Sequence, residues 1–142
     1  MISWIEPALL LAVLSTGLMA GIYFTFSVFV MRALKRLPVD VAIACMNSIN
    51  TVIVKSAFLP LFFGSGLLVL LLIIVNDGGL ASVWIISASV IYLLGMLGCT
   101  VVFNVPLNNR LQSVNAENKA LIWGIILFTG RAGIICELSA VW

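Results

Sequence analysis

Arg131 and Glu137 are charges placed where charge is most expensive. Both lie inside a long apolar stretch near the C-terminus, whereas the other ten of the twelve charged residues lie outside such stretches. An arginine at mid-membrane costs about 2.5–3.5 kcal/mol on insertion scales, so it must face protein and a polar partner. Two uses fit Arg131: it lines a buried pocket and binds an anionic or enolate-like oxygen, or it ties helices together through backbone carbonyls. Glu137 follows about 9 Å further along the axis and about 120° around it, so the two are not a helical pair. Glu137 fits an interfacial anchor as well as a site, and Glu6 reads as an interfacial cap. The chain has no histidine, which removes an imidazole base, a His-ligated haem and a His-based metal site. The carboxylates Glu6, Asp40, Asp77, Glu117 and Glu137 are scattered, and Cys45, Cys99 and Cys136 show neither metal-ligand nor disulfide spacing. No Gly-rich phosphate loop is present. The expectation is no metal and no cofactor.

Uncharged polar residues form a second layer. Thr16, Ala20, Tyr23 and Ser27 share one helical face, with Gly17 and Gly21 beside it; Ser89, Tyr92, Met96 and Cys99 repeat the same spacing. Small residues let membrane helices approach, hydroxyls join them, and a buried phenol finds a partner. Asn47, Asn50 and Thr51 fall at i, i+3 and i+4, and the segment Asn104-Val105-Pro106-Leu107-Asn108 carries two further amides. These amides either brace cytoplasmic loops or line a mouth in the inner leaflet.

The elements that hold these residues follow from composition. The chain is 63% hydrophobic and 8% charged, against about 25% charged in a soluble domain. That excludes a soluble globular domain, a disordered tail and a nucleic-acid binder, leaving an integral membrane protein whose partner is the lipid bilayer. Apolar stretches at 7–31, 57–75, 80–103 and 120–142 each suffice for a helix crossing a core of about 30 Å. The expected fold is therefore an all-α membrane protein: one domain, 1–142, with four transmembrane helices in an antiparallel bundle. The first stretch lacks a basic leader and reads as a retained helix rather than a signal peptide. Arg32, Lys35, Arg36, Lys55, Arg110 and Lys119 all fall in the two connections 32–56 and 104–119. The positive-inside rule makes those two loops cytoplasmic and puts both termini outside. A further helix over 39–50 is expected to run on into the second span, with Pro60 bending the join. Pro106 is expected to let the chain leave the third helix. Localisation follows as multi-pass in the inner or plasma membrane, with homo-oligomers forming through the small-residue faces.

Gly21-Ile22-Tyr23-Phe24-Thr25-Phe26-Ser27, then Val30-Met31 and Leu34, resembles the end of the first helix in a family of small integral membrane proteins. That family is catalogued as a domain of unknown function and includes the fungal anthrone oxygenases. Asn47 and Asn50, the Asn104–Asn108 segment with Leu111, and Trp123 with Arg131 follow in the family's order, so the likeness covers nearly the whole chain. One departure is Phe128, where members commonly carry an asparagine. The resemblance implies a four-helix bundle that oxidises a flat, apolar, anthrone-like aromatic to a quinone without a cofactor. It casts Arg131, Tyr23 and Asn104 as catalytic, with Arg131 stabilising the enolate, and Trp123, Tyr92, Asn108 and Asn50 as substrate-binding. The alternative is a small transporter, channel or accessory subunit with no catalysis.

Overall fold

The computed structural model describes residues 5–75, 78, 82–113, 115 and 118–128, nearly all of them helical and none in a strand. Helix α1 is Ile5–Leu34, α2 is Val39–Val54, α3 is Phe58–Ile74, α4 is Ser82–Gln112 and α5 is Lys119–Phe128. By length and apolar content α1 and α4 each suffice to cross a membrane, and α2 with α3 makes a third candidate bent by 60°. Of the expected fourth span only the start, α5, falls within the described residues. Large apolar side chains cover the outside, among them Leu10, Leu14, Leu67, Trp84, Leu94 and Val102. Such a surface is untenable in water but matches lipid. The protein is an all-helical membrane protein.

Local chemistry sets the breaks. Pro60 lacks an N–H to give the carbonyl of Ser56, and its ring would clash there, so the join between α2 and α3 opens at 55–57. Within α3 it is the third residue, where the missing donor is one the helix leaves unpaired anyway. Ser56 bridges the gap, its Oγ donating to the Ile53 carbonyl (2.8 Å) and accepting from the Phe58 N–H (3.1 Å). The bend is therefore sharper than a proline kink within a continuous helix. Pro106, in contrast, does not release the chain: α4 continues to Gln112. Just before it the helix is π-wound over Leu93–Gly98 and again over Thr100–Asn104. The wider turn accommodates a residue that cannot bond to the preceding turn. Helix α1 has a π turn of its own at Phe26–Val30. Between α3 and α4 Gly78 takes φ +82°, a backbone conformation that glycine adopts without strain.

Three apolar clusters order the packing. Ala12 of α1 meets Val69 and Leu72 of α3 at one end. Met19, Phe62 and Met96 join α1, α3 and α4 in the middle. At the end where Arg32, Lys35, Arg36 and Arg110 are exposed, Met31 and Leu34 of α1, Ala42, Ile43 and Met46 of α2, Leu111 of α4, and Trp123 and Ile126 of α5 form the largest cluster. Helix α2 therefore packs across the basic end of the bundle.

Candidate functional site

Two stripes face each other at that basic end. On α2, Ile43, Met46, Asn47 and Asn50 stand at i, i+3, i+4 and i+7, which is one helical face. On α4, Asn104, Leu107, Asn108 and Leu111 have the same spacing. Ile43 and Met46 pack with Leu107 and Leu111 in a single cluster, so the apolar members of the two stripes meet. Lys119 Nζ donates to Asp40 Oδ1 at 2.6 Å, tying the start of α2 to the start of α5. That pair is solvent-exposed, its side chains 38% and 75% accessible, and contributes at most about 1 kcal/mol.

The amides of α2 are unusual. Asn47 Oδ1 and Asn50 Nδ2 are buried, and neither has a hydrogen-bond partner among the described residues. Leaving a buried donor or acceptor unpaired costs about 1–3 kcal/mol per group. Native cores rarely tolerate two such atoms one turn apart without a use for them. They present one acceptor and one donor along a single face. Asn104 and Asn108 are half-buried at the next level of α4.

Tyr23 packs in the middle cluster, next above this seam. Its phenol shares a hydrogen bond with Thr100 Oγ1 at 2.8 Å, joining α1 to α4 one turn before Asn104. Its ring lies 6.3 Å from Phe58, which stacks on Phe62 at 5.8 Å. An aromatic wall therefore runs from just above the seam through the middle of the bundle. Trp123 of α5 is 5% exposed and packs with Met31, Met46 and Leu111. The structure thus brings Asn50, Asn104, Asn108 and Trp123 to one end of the molecule, while Tyr23 packs in the middle cluster and reaches toward that end through Thr100. Tyr92 lies further from the basic end, twelve residues before Asn104 on α4. It packs in the two clusters away from the basic end and shares a 2.7 Å hydrogen bond with Ser65 of α3. Arg131 and Glu137 lie outside the described residues. Phe128 is 75% exposed. Among the described residues no group of three or more His, Cys, Asp or Glu stands close enough to hold a metal ion.

Sequence reasoning noticed Asn47 but left it outside the expected site. Its signals were spacing, since it continues the stripe of Ile43 and Met46, and its place in the family resemblance. The π turns, Thr100 and Ser65 carried no signal that helical periodicity reads.

Residues 50–126, more than half of the chain, match the family model described as anthrone oxygenase. The chain belongs to the anthrone oxygenase family. The match begins at Asn50 and takes in Tyr92, Asn104, Asn108 and Trp123, so most of the seam is family territory. Asn47, Tyr23 and Arg131 lie outside the matched segment. No curated protein and no solved structure matches the chain.

Proposed function

We propose that this anthrone oxygenase family member binds a flat, apolar, weakly acidic aromatic within its helices and oxidises it with dioxygen, without a cofactor. The observation that carries the reading is the family match over 50–126. The amide-lined seam against an aromatic wall supports it. An anthrone and one dioxygen give a quinone and one water. The ring CH₂ loses a proton to form an enolate, which passes an electron to oxygen. The two radicals combine to a peroxide anion, which takes back the proton to give a hydroperoxide, and loss of water leaves the carbonyl. The protein's part is to stabilise the enolate oxygen and hold the ring in a dry slot. Arg131 is assigned the first task from the sequence alone. Tyr23 and Asn104 orient the ring, while Trp123, Asn50 and Asn108 line the slot. Tyr92, which packs with Tyr23 in the middle cluster, serves if the slot extends past Tyr23 toward α3.

The same proposal includes a four-span bundle in the inner or plasma membrane. Both termini lie outside, and the basic end faces the cytoplasm. Purified protein in nanodiscs should accelerate oxygen uptake with anthrone, and Arg131→Ala should abolish the acceleration. Oxygen uptake no faster than in empty nanodiscs would overturn the oxygenase reading.

A further inference from the structure

We infer that Asn47 and Asn50 form a two-point binding site for the polar edge of a neutral, lipid-soluble ligand, one that carries a hydrogen-bond donor beside an acceptor. The inference rests on the reading that the bundle takes up a flat apolar molecule. It goes further in placing that molecule's polar edge and in including Asn47, which lies outside the segment matched by the family.

Four observations converge. First, Asn47 Oδ1 and Asn50 Nδ2 are buried with no partner among the described residues, so an acceptor and a donor already stand desolvated. Side chains one turn apart lie about 5–6 Å from each other at Cβ, within reach of two oxygens on one edge of a fused ring. Second, the side chains that pack at this level, Ile43, Met46, Leu107 and Leu111, are uncharged, and the basic side chains of this end, Arg32, Lys35, Arg36, Lys55 and Arg110, are exposed. The charge that α2 itself bears is Asp40, seven residues before Asn47 and paired with Lys119. A neutral ligand is therefore favoured over an ion, which would sit there unpaired. Third, Met31 and Met46 belong to the adjoining cluster. Their unbranched side chains can repack around an incoming ring at low cost. Fourth, π turns occur in both helices that flank this level, at Phe26–Val30 and Thr100–Asn104. Such turns recur at functional sites because they re-aim side chains out of the regular ladder.

The geometry has a chemical consequence. A primary amide exchanges its acceptor for its donor by a half-turn about its last torsion. The pair can therefore grip a hydroxyl and a carbonyl, and keep its grip after the hydroxyl has become a carbonyl.

Binding is the test, read by tryptophan quenching and by the ligand-induced shift in Tm in nanodiscs. The probes are a hydroxyanthraquinone whose hydroxyl lies on the same edge as a ring carbonyl but one position too far to bond to it internally, its methyl ether, and anthracene. Wild-type protein should bind the first about tenfold more tightly than the ether, and the ether more tightly than anthracene, as each hydrogen bond is removed. Asn47→Leu and Asn50→Leu should each weaken binding of the hydroxyanthraquinone about tenfold. Both should also raise the Tm of the ligand-free protein, since each deletes an unpaired buried group. A brace would behave the other way, lowering Tm on substitution and leaving the order of the probes unchanged. Equal binding of the three probes by wild-type protein overturns the inference, and that arm needs no variant to fold. Binding that survives both leucine substitutions overturns it as well. Amide-dependent binding without turnover would leave this site standing and remove only the oxygenase reading. Turnover that survives the double variant would remove only this site.

Discussion

At the scale of single residues, the two tyrosines resemble each other in sequence and differ in role. Ser65 Oγ donates to the Phe62 carbonyl at 3.0 Å, so its contact with Tyr92 uses the phenol as donor. Removing that phenol leaves the serine its own bond. Tyr92→Phe should therefore cost about 0.5 kcal/mol, and thermal unfolding in detergent measures it. Tyr23 ties α1 to α4 beside the seam. Tyr23→Phe should destabilise by a similar amount yet cut oxygen uptake with anthrone about tenfold or more. Equal effects of the two substitutions on turnover would remove Tyr23 from the site. Gly66 shows how tightly α3 and α4 approach: a Cβ there would lie 2.6 Å from Leu97 Cδ1. Gly66→Ala should destabilise by about 1 kcal/mol. A double-mutant cycle with Leu97→Ala should return a coupling of about 0.5 kcal/mol or more, because the smaller partner relieves the clash.

At the scale of elements, the sequence was read as long apolar helices, and the described residues are helical but join differently from expectation. Both prolines were legible as perturbations. Pro60 was expected to bend one continuous helix, and the chain instead breaks at 55–57 with Ser56 holding the two ends. Pro106 was expected to end a helix that in fact continues, because the π winding ahead of it makes room. Local propensity assigns a proline its cost but does not say whether neighbouring turns widen to absorb it, since tertiary packing chooses between the two. Pro60→Ala should let α2 and α3 straighten, drawing α2 away from Trp123. In a variant keeping Trp123 as its sole tryptophan, the emission should shift to the red. Unchanged emission would show that packing at the basic end, rather than the proline, sets the bend.

At the scale of the whole molecule, the solvent is lipid and the charges report orientation. Arg32, Lys35, Arg36 and Arg110 are exposed at one end, while Val75 and Gly78 belong to the other. In a background without native cysteines, Ser113→Cys should resist an impermeant thiol reagent until the membrane is opened. Val75→Cys should react in intact cells. The opposite pattern would invert the proposed topology. Helix α1 also leaves Gly17 and Gly21 open on its outer surface, where an added Cβ meets nothing within 4 Å. Replacing both by isoleucine should leave the Tm within a few degrees of wild type. If copies pair through this face, the same change should convert cross-linked oligomers to monomers.

Composition alone determined that this is a helical membrane protein, because no soluble fold hides so much apolar surface and only helices satisfy their own backbone within each segment. Spacing alone put Asn47 and Asn50 on one face, and the short motifs pointed to the family. Only the tertiary structure decided that α2 crosses the basic end and that Tyr23 bonds to Thr100 of α4 while Tyr92 bonds to Ser65 of α3. It also decided that the two amides end up buried without partners among the described residues. Periodicity specifies which side of a helix is turned inward, but not which neighbour covers that side or what that neighbour offers. Whether a buried amide is a brace or an unfilled site depends on the atoms opposite it, and packing brings those from distant parts of the chain.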